Sequence, residues 1–366
     1  MEKTIRKVLN AIEKSGFEAY IVGGYVRDLL VGRTTWDIDI CTNAVPKELV
    51  LIFPNANVGI YGAVDFKIGK YSFEITTYRK EYNYKDRHPS QVKYISNLLE
   101  DLNRRDFTIN AICMNQKGNI IDPLNAREDL KKRQIRIVGN AEERIVEDPL
   151  RILRAIRFAT CLNFDLDLDL TKEIKKHYLL VATLSDYRII EELSKILINK
   201  NYLRGLQLLS DLGILQALDI TYTNIVKTSD ISGMWAQLNM VKKLAFNKET
   251  LHNINTIRKI VDRAKIDCDE LFEFGLYYCI IAGEIIGISK KNISNIYKKM
   301  PIKKMKDIAV STNGIISYLS IEPDDRLGIV LDDLKSQILH GVIRNTPRSI
   351  FRYLNQTYKG DNTCEK

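Results

Sequence analysis

The hydrophobic pattern of this chain changes period once, and that change limits the folds open to it. Up to about residue 135, short segments alternate apolar and polar residues, as in "WDIDICT" (36–42) and "YSFEITTYR" (71–79). Period-two alternation predicts half-buried strands, because successive side chains of a strand point to opposite faces. From about Glu142 onward, apolar residues recur every three or four positions in "PLRILRAIRFATCL", "RIIEELSKILI", "YLRGLQLLSDLGIL" and "ETLHNINTIRKIVDRA". That spacing lays an apolar stripe along helices. The chain therefore reads as an α/β head followed by a long all-helical arm, and its 366 residues exceed what one compact core usually holds.

Local signals fill in the head. "MEKTIRKVLNAIEKSGF" has charged, amphipathic helix spacing rather than the apolar core of a signal peptide. "EAYIVGG" reads as a strand ending in glycines, "VRDLLVG" as two helical turns closed by Gly32, and "AVDFKIGK" as a hairpin partner for 71–79. The polar run 80–99, with Asp86, Arg87, His88 and Pro89, reads as a loop, and "RRDFTINAICMN" as a helix start running on into a strand. The last ten residues are expected to fray. No apolar run approaches the roughly 20 residues of a membrane span. The six cysteines are scattered with no CxxC pair, so neither a zinc ribbon nor a disulfide scaffold is indicated, and the four histidines include no His-Asp dyad. A soluble, cytoplasmic protein with reduced thiols is expected. Lys and Arg outnumber Asp and Glu by 55 to 46, a net +9 that favours a polyanionic partner such as nucleic acid.

Chemistry concentrates in residues 22–39, "VGGYVRDLLVGRTTWDID". Asp37 and Asp39 stand two apart on a strand, so both carboxylates project together. A divalent cation relieves their repulsion, and Mg²⁺ is the natural candidate because it takes hard oxygen ligands and is often shared with phosphates. An exposed edge strand gives the same D-x-D pattern, so the preceding glycines matter. Gly23-Gly24 joins a strand to a helix, where backbone N–H groups and the helix dipole suit a phosphate. Arg27, one turn in, supplies a fixed cation. Asp28 either orients Arg27 or caps the chain locally. A phosphate cradle followed by a two-carboxylate metal site is what nucleotidyl transfer needs.

"GGYVRDLL" followed by "DID" resembles the head motif of the class II tRNA nucleotidyltransferases, the CCA-adding enzymes, and of their bacterial poly(A) polymerase relatives. "EDLNRRDFTINAI" (100–112) and "EDPLRILRAIRFA" (147–159) follow in the family's order. The resemblance implies an α/β nucleotidyltransferase head of the polymerase β-like kind, followed by an all-helical neck, body and tail. It places the catalytic head at 1–137, the neck with its nucleotide-recognition helix at 138–200, the body at 201–260 and a tRNA-binding tail at 261–366. It makes Asp37 and Asp39 the catalytic metal ligands. It makes Gly23, Gly24, Arg27, Arg105, Asp106, Asn110, Asp148, Arg151, Arg154 and Arg157 nucleotide-binding. In that scheme Arg105 suits the triphosphate, Asp106 and Asn110 a ribose hydroxyl, and Arg154 and Arg157 the phosphates or helix anchoring. Glu74 is a further candidate to face the metal from a neighbouring strand.

The family's matching Asp and Arg, here Asp148 and Arg151, form an amino-acid template for the incoming base. Cytosine and adenine both present an amino donor beside an unprotonated ring nitrogen. Asp148 accepts from the first and Arg151 donates to the second. Uracil and guanine reverse that order and leave polar groups unpaired, at about 1–3 kcal/mol each. The implied activity is template-independent addition of CCA to the 3′ end of tRNA from CTP and ATP, with Mg²⁺-dependent release of pyrophosphate. The alternatives are a CC- or A-adding specialist, a poly(A) polymerase, or a catalytically silent RNA-binding protein. The 80–99 segment resembles the loop tied to the switch from C to A. Lys and Arg along 241–305, including "KKNISNIYKKM", are expected to grip the tRNA backbone.

Overall fold

The computed structural model describes residues 2–59, 62–85, 88–240 and 244–359. The chain forms two units, one running through Ile220 and the other taking up from Thr221. The first unit opens with α1 (Lys3–Lys14), β1 (Ala19–Val22), α2 (Gly24–Leu30), β2 (Asp37–Thr42) and α3 (Pro46–Ile52). Next come β3 (Asn57–Val58), β4 (Val64–Ile68), β5 (Tyr71–Thr77), β6 (Arg79–Lys85) and β7 (His88–Tyr94). After these come α4 (Leu98–Asn103), β8 (Cys113–Met114), β9 (Ile120–Ile121), α5 (Ala126–Lys132) and β10 (Gln134–Ile135).

Seven strands make one mixed sheet in the order β3-β4-β5-β2-β1-β8-β9. Its centre, β2, runs antiparallel to β1 and parallel to β5. Ile38 and Ile40 of β2 and Phe73 and Ile75 of β5 are fully buried in one cluster with Ile5, Leu9 and Ile12 of α1. Burying each such side chain is worth about 1.5–3 kcal/mol. A one-residue slip of β2 would expose both isoleucines and drive carboxylates into the core, so the register is fixed. Asp37, Asp39 and Cys41 therefore share the other face. There a second cluster, with Val22, Tyr78, Leu102 and Cys113, covers Cys41 and leaves Asp37 exposed.

The rest of this unit is helical: α6 (Ala141–Glu147), α7 (Leu150–Leu162), α8 (Leu168–His177), α9 (Asp186–Leu197), α10 (Tyr202–Asp211) and α11 (Ile214–Ala217). A two-residue strand, β11 (Asp165–Leu166), pairs in parallel with β10. The second unit comprises α12 (Ile231–Ala236), α13 (Lys248–Arg263), α14 (Cys268–Ile286), α15 (Lys290–Lys299), α16 (Thr312–Leu319), α17 (Asp325–Leu339) and α18 (Pro347–Leu354). Its core joins Ile257, Leu271, Ile281, Ile293, Leu334 and Ile350. Within α14 the chain kinks at Gly275, whose φ of 81° and ψ of 167° lie in a region open essentially to glycine alone. Among the described residues no helix is long and apolar enough to cross a membrane, and Cys41, Cys113, Cys161, Cys268 and Cys279 are free thiols.

Two local expectations are corrected. The segment expected as a loop at 80–99 is instead largely the antiparallel ribbon β6–β7, which among the described residues pairs with no other strand. Its sequence, "RKEYNYK" and "HPSQVKY", is too polar for an apolar alternation to show, and the strand pairing is what marks it. "RRDFTIN" gives a single 3₁₀ turn at Thr108–Asn110 rather than a helix start. Long-range bonds win there: Val138 N donates to Asp106 O (3.0 Å) and Thr108 N to Arg136 O (3.0 Å), holding the backbone extended. Asp86 and Arg87 of the expected loop, Lys242 and Lys243 of the basic series, Cys364 and the expected frayed end from residue 360 lie outside the described residues.

Candidate active site

The site is built where β1, β2 and β5 lie side by side. The register sets Asp39 between Val22 and Glu74, and Glu74 in turn beside Asp65 of β4. Three carboxylates thus cross the sheet in one row, with Asp37 two residues from Asp39 on the same face. Burial first, and Glu74 next, push the Asp39 carboxyl up to about 6, against the pull of Arg105 and Arg27. Among the described residues no cation makes a direct hydrogen bond or ion pair with this carboxylate.

Gly23 follows β1 and stands just ahead of α2 with φ 76° and ψ −134°. A Cβ there would lie 3.2 Å from Asp39 Oδ2 and 3.8 Å from the Asn110 carbonyl. The glycine is required both by its backbone and by the closeness of the carboxylate. Gly24 begins the helix, and one turn later Arg27 is buried to 9% exposure. Its Nε donates to Asp28 Oδ1 (2.8 Å) and Nη1 to Asn110 Oδ1 (2.7 Å). Asp28 therefore orients Arg27, which decides between the two readings of that residue.

Facing the acidic row is a basic wall. Asp39, Glu74, Thr76, Arg79, Arg104 and Arg105 line one cavity of about 380 Å³. Its arginines are held from behind by Asp101, which is fully buried. Asp101 accepts from Arg104 Nε (2.8 Å), Arg105 Nη2 (3.1 Å) and the Arg79 backbone N–H (3.2 Å). Burial works against its charge, yet Arg105 and Arg104 hold the Asp101 carboxyl below the usual range. Arg105 is likewise kept firmly protonated, Asp101 overriding the cost of its burial.

A chain of hydrogen bonds runs from the glycine turn to α7. Beyond Arg27 and Asn110, Asn110 Nδ2 donates to Asp106 Oδ1 (3.3 Å), and Arg154 Nε donates to Asp106 Oδ2 (2.9 Å). Burial raises the Asp106 carboxyl, but Arg154 outweighs it and holds it low. Arg157 donates to Glu192 Oε2 of α9 (2.5 Å) and stacks on Phe158, 4.1 Å from the ring centre. Arg27 and Arg154 flank the same ring at 5.5 and 5.7 Å. Of the two roles open to Arg154 and Arg157, the contacts in this structure are those of helix anchors.

Asp148 sits in the break between α6 and α7, with φ −145° and ψ 97°, and its Oδ1 accepts from Leu150 N (3.1 Å). Arg151 is 6% exposed. Its Nη1 donates to Glu147 Oε2 (2.5 Å) and to the Arg144 carbonyl (2.6 Å). Arg144 in turn donates to the carbonyls of Arg104 and Arg105 (2.6 and 3.0 Å), tying α6 to the arginine wall.

The structure thus joins Asp39 and Arg105 in one cavity wall with Gly23 close against Asp39, and Arg27, Asn110, Asp106 and Arg154 in one network. Asp37 is exposed, two residues from Asp39 on the same strand face. Arg151 N donates to the Asp148 carbonyl (3.1 Å), but among the described residues the two side chains make no hydrogen bond to each other, Asp148 turning to Leu150 N and Arg151 to Glu147 and the Arg144 carbonyl. Asp101 and Glu192 are not singled out by the sequence, and Glu147 stands in its motif there without an assigned role. For Asp101 a signal existed, since Arg104 and Arg105 stand three and four residues after it, the spacing of helical neighbours.

The poly(A) polymerase head domain family matches residues 19–136, a probable RNA- and SrmB-binding site of polymerase A matches 163–219, and the second domain of tRNA nucleotidyltransferases matches 236–354. The CCA-adding enzyme of Ligilactobacillus salivarius is 34% identical, over 92% of this chain and 92% of its own. That of Geobacillus sp. is 32% identical, over 95% of each. The structure of the Bacillus stearothermophilus CCA-adding enzyme in complex with CTP is similar over 99% of both chains, with 26% identity and a TM-score of 0.86.

Proposed function

The chain belongs to the CCA-adding enzymes, and on that premise we propose that this tRNA nucleotidyltransferase adds CCA to the tRNA 3′ end from CTP and ATP through the site just described. The observation that carries the reading is the cavity with an acidic row on one side and Asp101-braced arginines on the other. A nucleoside triphosphate needs both: cations for its phosphates, and carboxylates for the metal that this family's chemistry generally uses.

Mg²⁺ is the cation we assign to Asp37 and Asp39. Their donors are hard oxygens, and the raised Asp39 carboxyl is that of an anion suited to a cationic partner. When bound, the ion polarises the α-phosphate and favours the ionised form of the attacking 3′-hydroxyl. Arg105 and the backbone at Gly23-Gly24 hold the phosphates. The RNA 3′-oxygen bonds to the α-phosphorus as the bond to pyrophosphate breaks. Asp106 and Asn110 stand ready for the ribose. Asp148 accepts from the base amino group, and Arg151 donates to the ring nitrogen with the N–H groups that Glu147 and the Arg144 carbonyl leave over.

The test is nucleotide incorporation on tRNA transcripts ending before CCA, after C and after CC, given Mg²⁺ with CTP, ATP or both. Completion to CCA on all three, followed by a stop, is expected. Extension of only some transcripts would make the enzyme a CC- or A-adding specialist, and an unbounded A tail would make it a poly(A) polymerase.

A further inference from the structure

We propose that the second unit holds a transition-metal site of the Zn²⁺ type, formed by Cys268 and Asp269 at the start of α14 and His340 at the end of α17. One donor atom from each of these residues lies within 4.8 Å of the other two, and His340 Nε2 is already 3.2 Å from Asp269 Oδ2. Donors around a tetrahedral Zn²⁺, with bonds of about 2.0–2.3 Å, stand roughly 3.3–3.8 Å apart. Small side-chain rotations close that difference.

The imidazole is oriented for the role. His340 Nδ1 lies 2.9 Å from the Ser336 carbonyl, one turn back on α17. An N–H at Nδ1 donated to that carbonyl leaves the Nε2 lone pair facing Cys268 and Asp269. This outer hydrogen bond is what fixes the tautomer of metal-bound histidines generally. The backbone on each side is fixed as well. Asp267 caps α14, accepting from Asp269 N (2.9 Å) while Glu270 reaches back to Asp267 N (3.2 Å). α17 ends at Leu339, and Gly341 turns the chain at φ 73° just after His340. Leu271 and Ile338, next to these ends, are buried in one core.

A thiolate, an imidazole and a carboxylate together select Zn²⁺, Co²⁺ or a similar ion over Mg²⁺, unlike the all-oxygen row of the head. The exposed Asp269–His340 pair adds little stability alone, whereas an ion would staple two helix ends whose ligands are 71 residues apart in sequence. A second cluster, Glu142, Glu173 and His177, has comparable spacing. It lacks sulfur, and Lys176 Nζ already supplies a cation 2.6 Å from Glu142 Oε1.

The test is titration of the chelator-treated full chain with Co²⁺, read by visible absorption and by the thiolate-to-cobalt band in the near ultraviolet. One equivalent with the thiolate band is expected. Cys268→Ser should lose the band, and His340→Ala should weaken binding at least tenfold. CTP incorporation with Mg²⁺ should be unchanged in both, showing that they fold; if Cys268→Ser does not fold, Asp269→Asn should show the weakening instead. Absence of the band in the wild type, its persistence in a folded Cys268→Ser, or unaltered Co²⁺ affinity in folded His340→Ala or Asp269→Asn would overturn the site.

Discussion

Gly23→Ala isolates the geometry on which the site depends. The substitution adds one methyl group at a residue whose φ of 76° and ψ of −134° suit glycine alone, and backbone strain of this kind costs about 1–3 kcal/mol. The methyl would also meet Asp39 Oδ2 at 3.2 Å, a few tenths of an ångström too near. Asp39 is poor at yielding, since Glu74 is its register neighbour on one side and Val22 on the other. The stability loss alone would lower the folded-to-unfolded ratio about 5- to 150-fold and still leave mostly folded enzyme. Displacing the carboxylate proposed as catalytic acts on the rate itself: a misplacement of about 1 Å can lower it roughly a hundredfold, so a shift of a few tenths of an ångström should cost roughly several-fold. Urea unfolding followed by circular dichroism would measure the first effect, and single-turnover CTP incorporation by protein shown to be folded would measure the second. Folded Gly23→Ala that incorporates CTP at the wild-type rate would refute the close approach of Gly23 to a catalytic Asp39.

Asp101→Asn should cost about 3–5 kcal/mol at pH 7, because it strips a buried carboxylate from Arg104 and Arg105. Since the folded carboxyl lies below its ordinary 3.8, the pH-dependent part of that contribution is fully present above about pH 4 and is lost as pH falls through the folded value; urea unfolding of both proteins from pH 7 to 3 should show the gap narrowing only in acid. Asp37→Ala should abolish incorporation while changing stability by no more than about 0.5 kcal/mol, as its side chain is exposed; loss of the fold would undercut the metal assignment. Asp148→Ala should raise UTP use relative to CTP by about tenfold, the lower part of the range for one unpaired polar group, and unchanged discrimination in competition assays would sink the template.

The parts of the molecule legible in the sequence are those in which neighbours along the chain carry the signal. The alternation in "DIDIC" placed Asp37 and Asp39 together, and Gly23 announced a turn that other residues resist. The ties between motifs were not legible. Nothing local says that Arg154 meets Asp106, or that Arg157 meets Glu192, because those pairs are 48 and 35 residues apart. The 3₁₀ turn at Thr108 was hidden for the same reason: Thr108 Oγ1 donates to Asp129 Oδ2 (2.6 Å), and that distant bond overrides local helix spacing. Asp101 was visible by its spacing but not by its burial, and its burial is what makes it the brace of the arginine wall.

The β6–β7 ribbon has a mechanical consequence. Its root is clamped at Tyr78, a fully buried residue whose N–H donates to Thr42 O (2.7 Å) and whose carbonyl accepts from Ile95 N (3.0 Å). Beyond the root, the two strands are laced to each other along their length. Such a ribbon behaves as a beam fixed at one end. Seven residues at about 3.3 Å each give it a reach of roughly 23 Å, so a tilt of about 10° at Tyr78 sweeps the far end through roughly 4 Å. A small rearrangement at the wall of the cavity, where Arg79 begins the ribbon, is thereby geared into a displacement as wide as an atom and its neighbour.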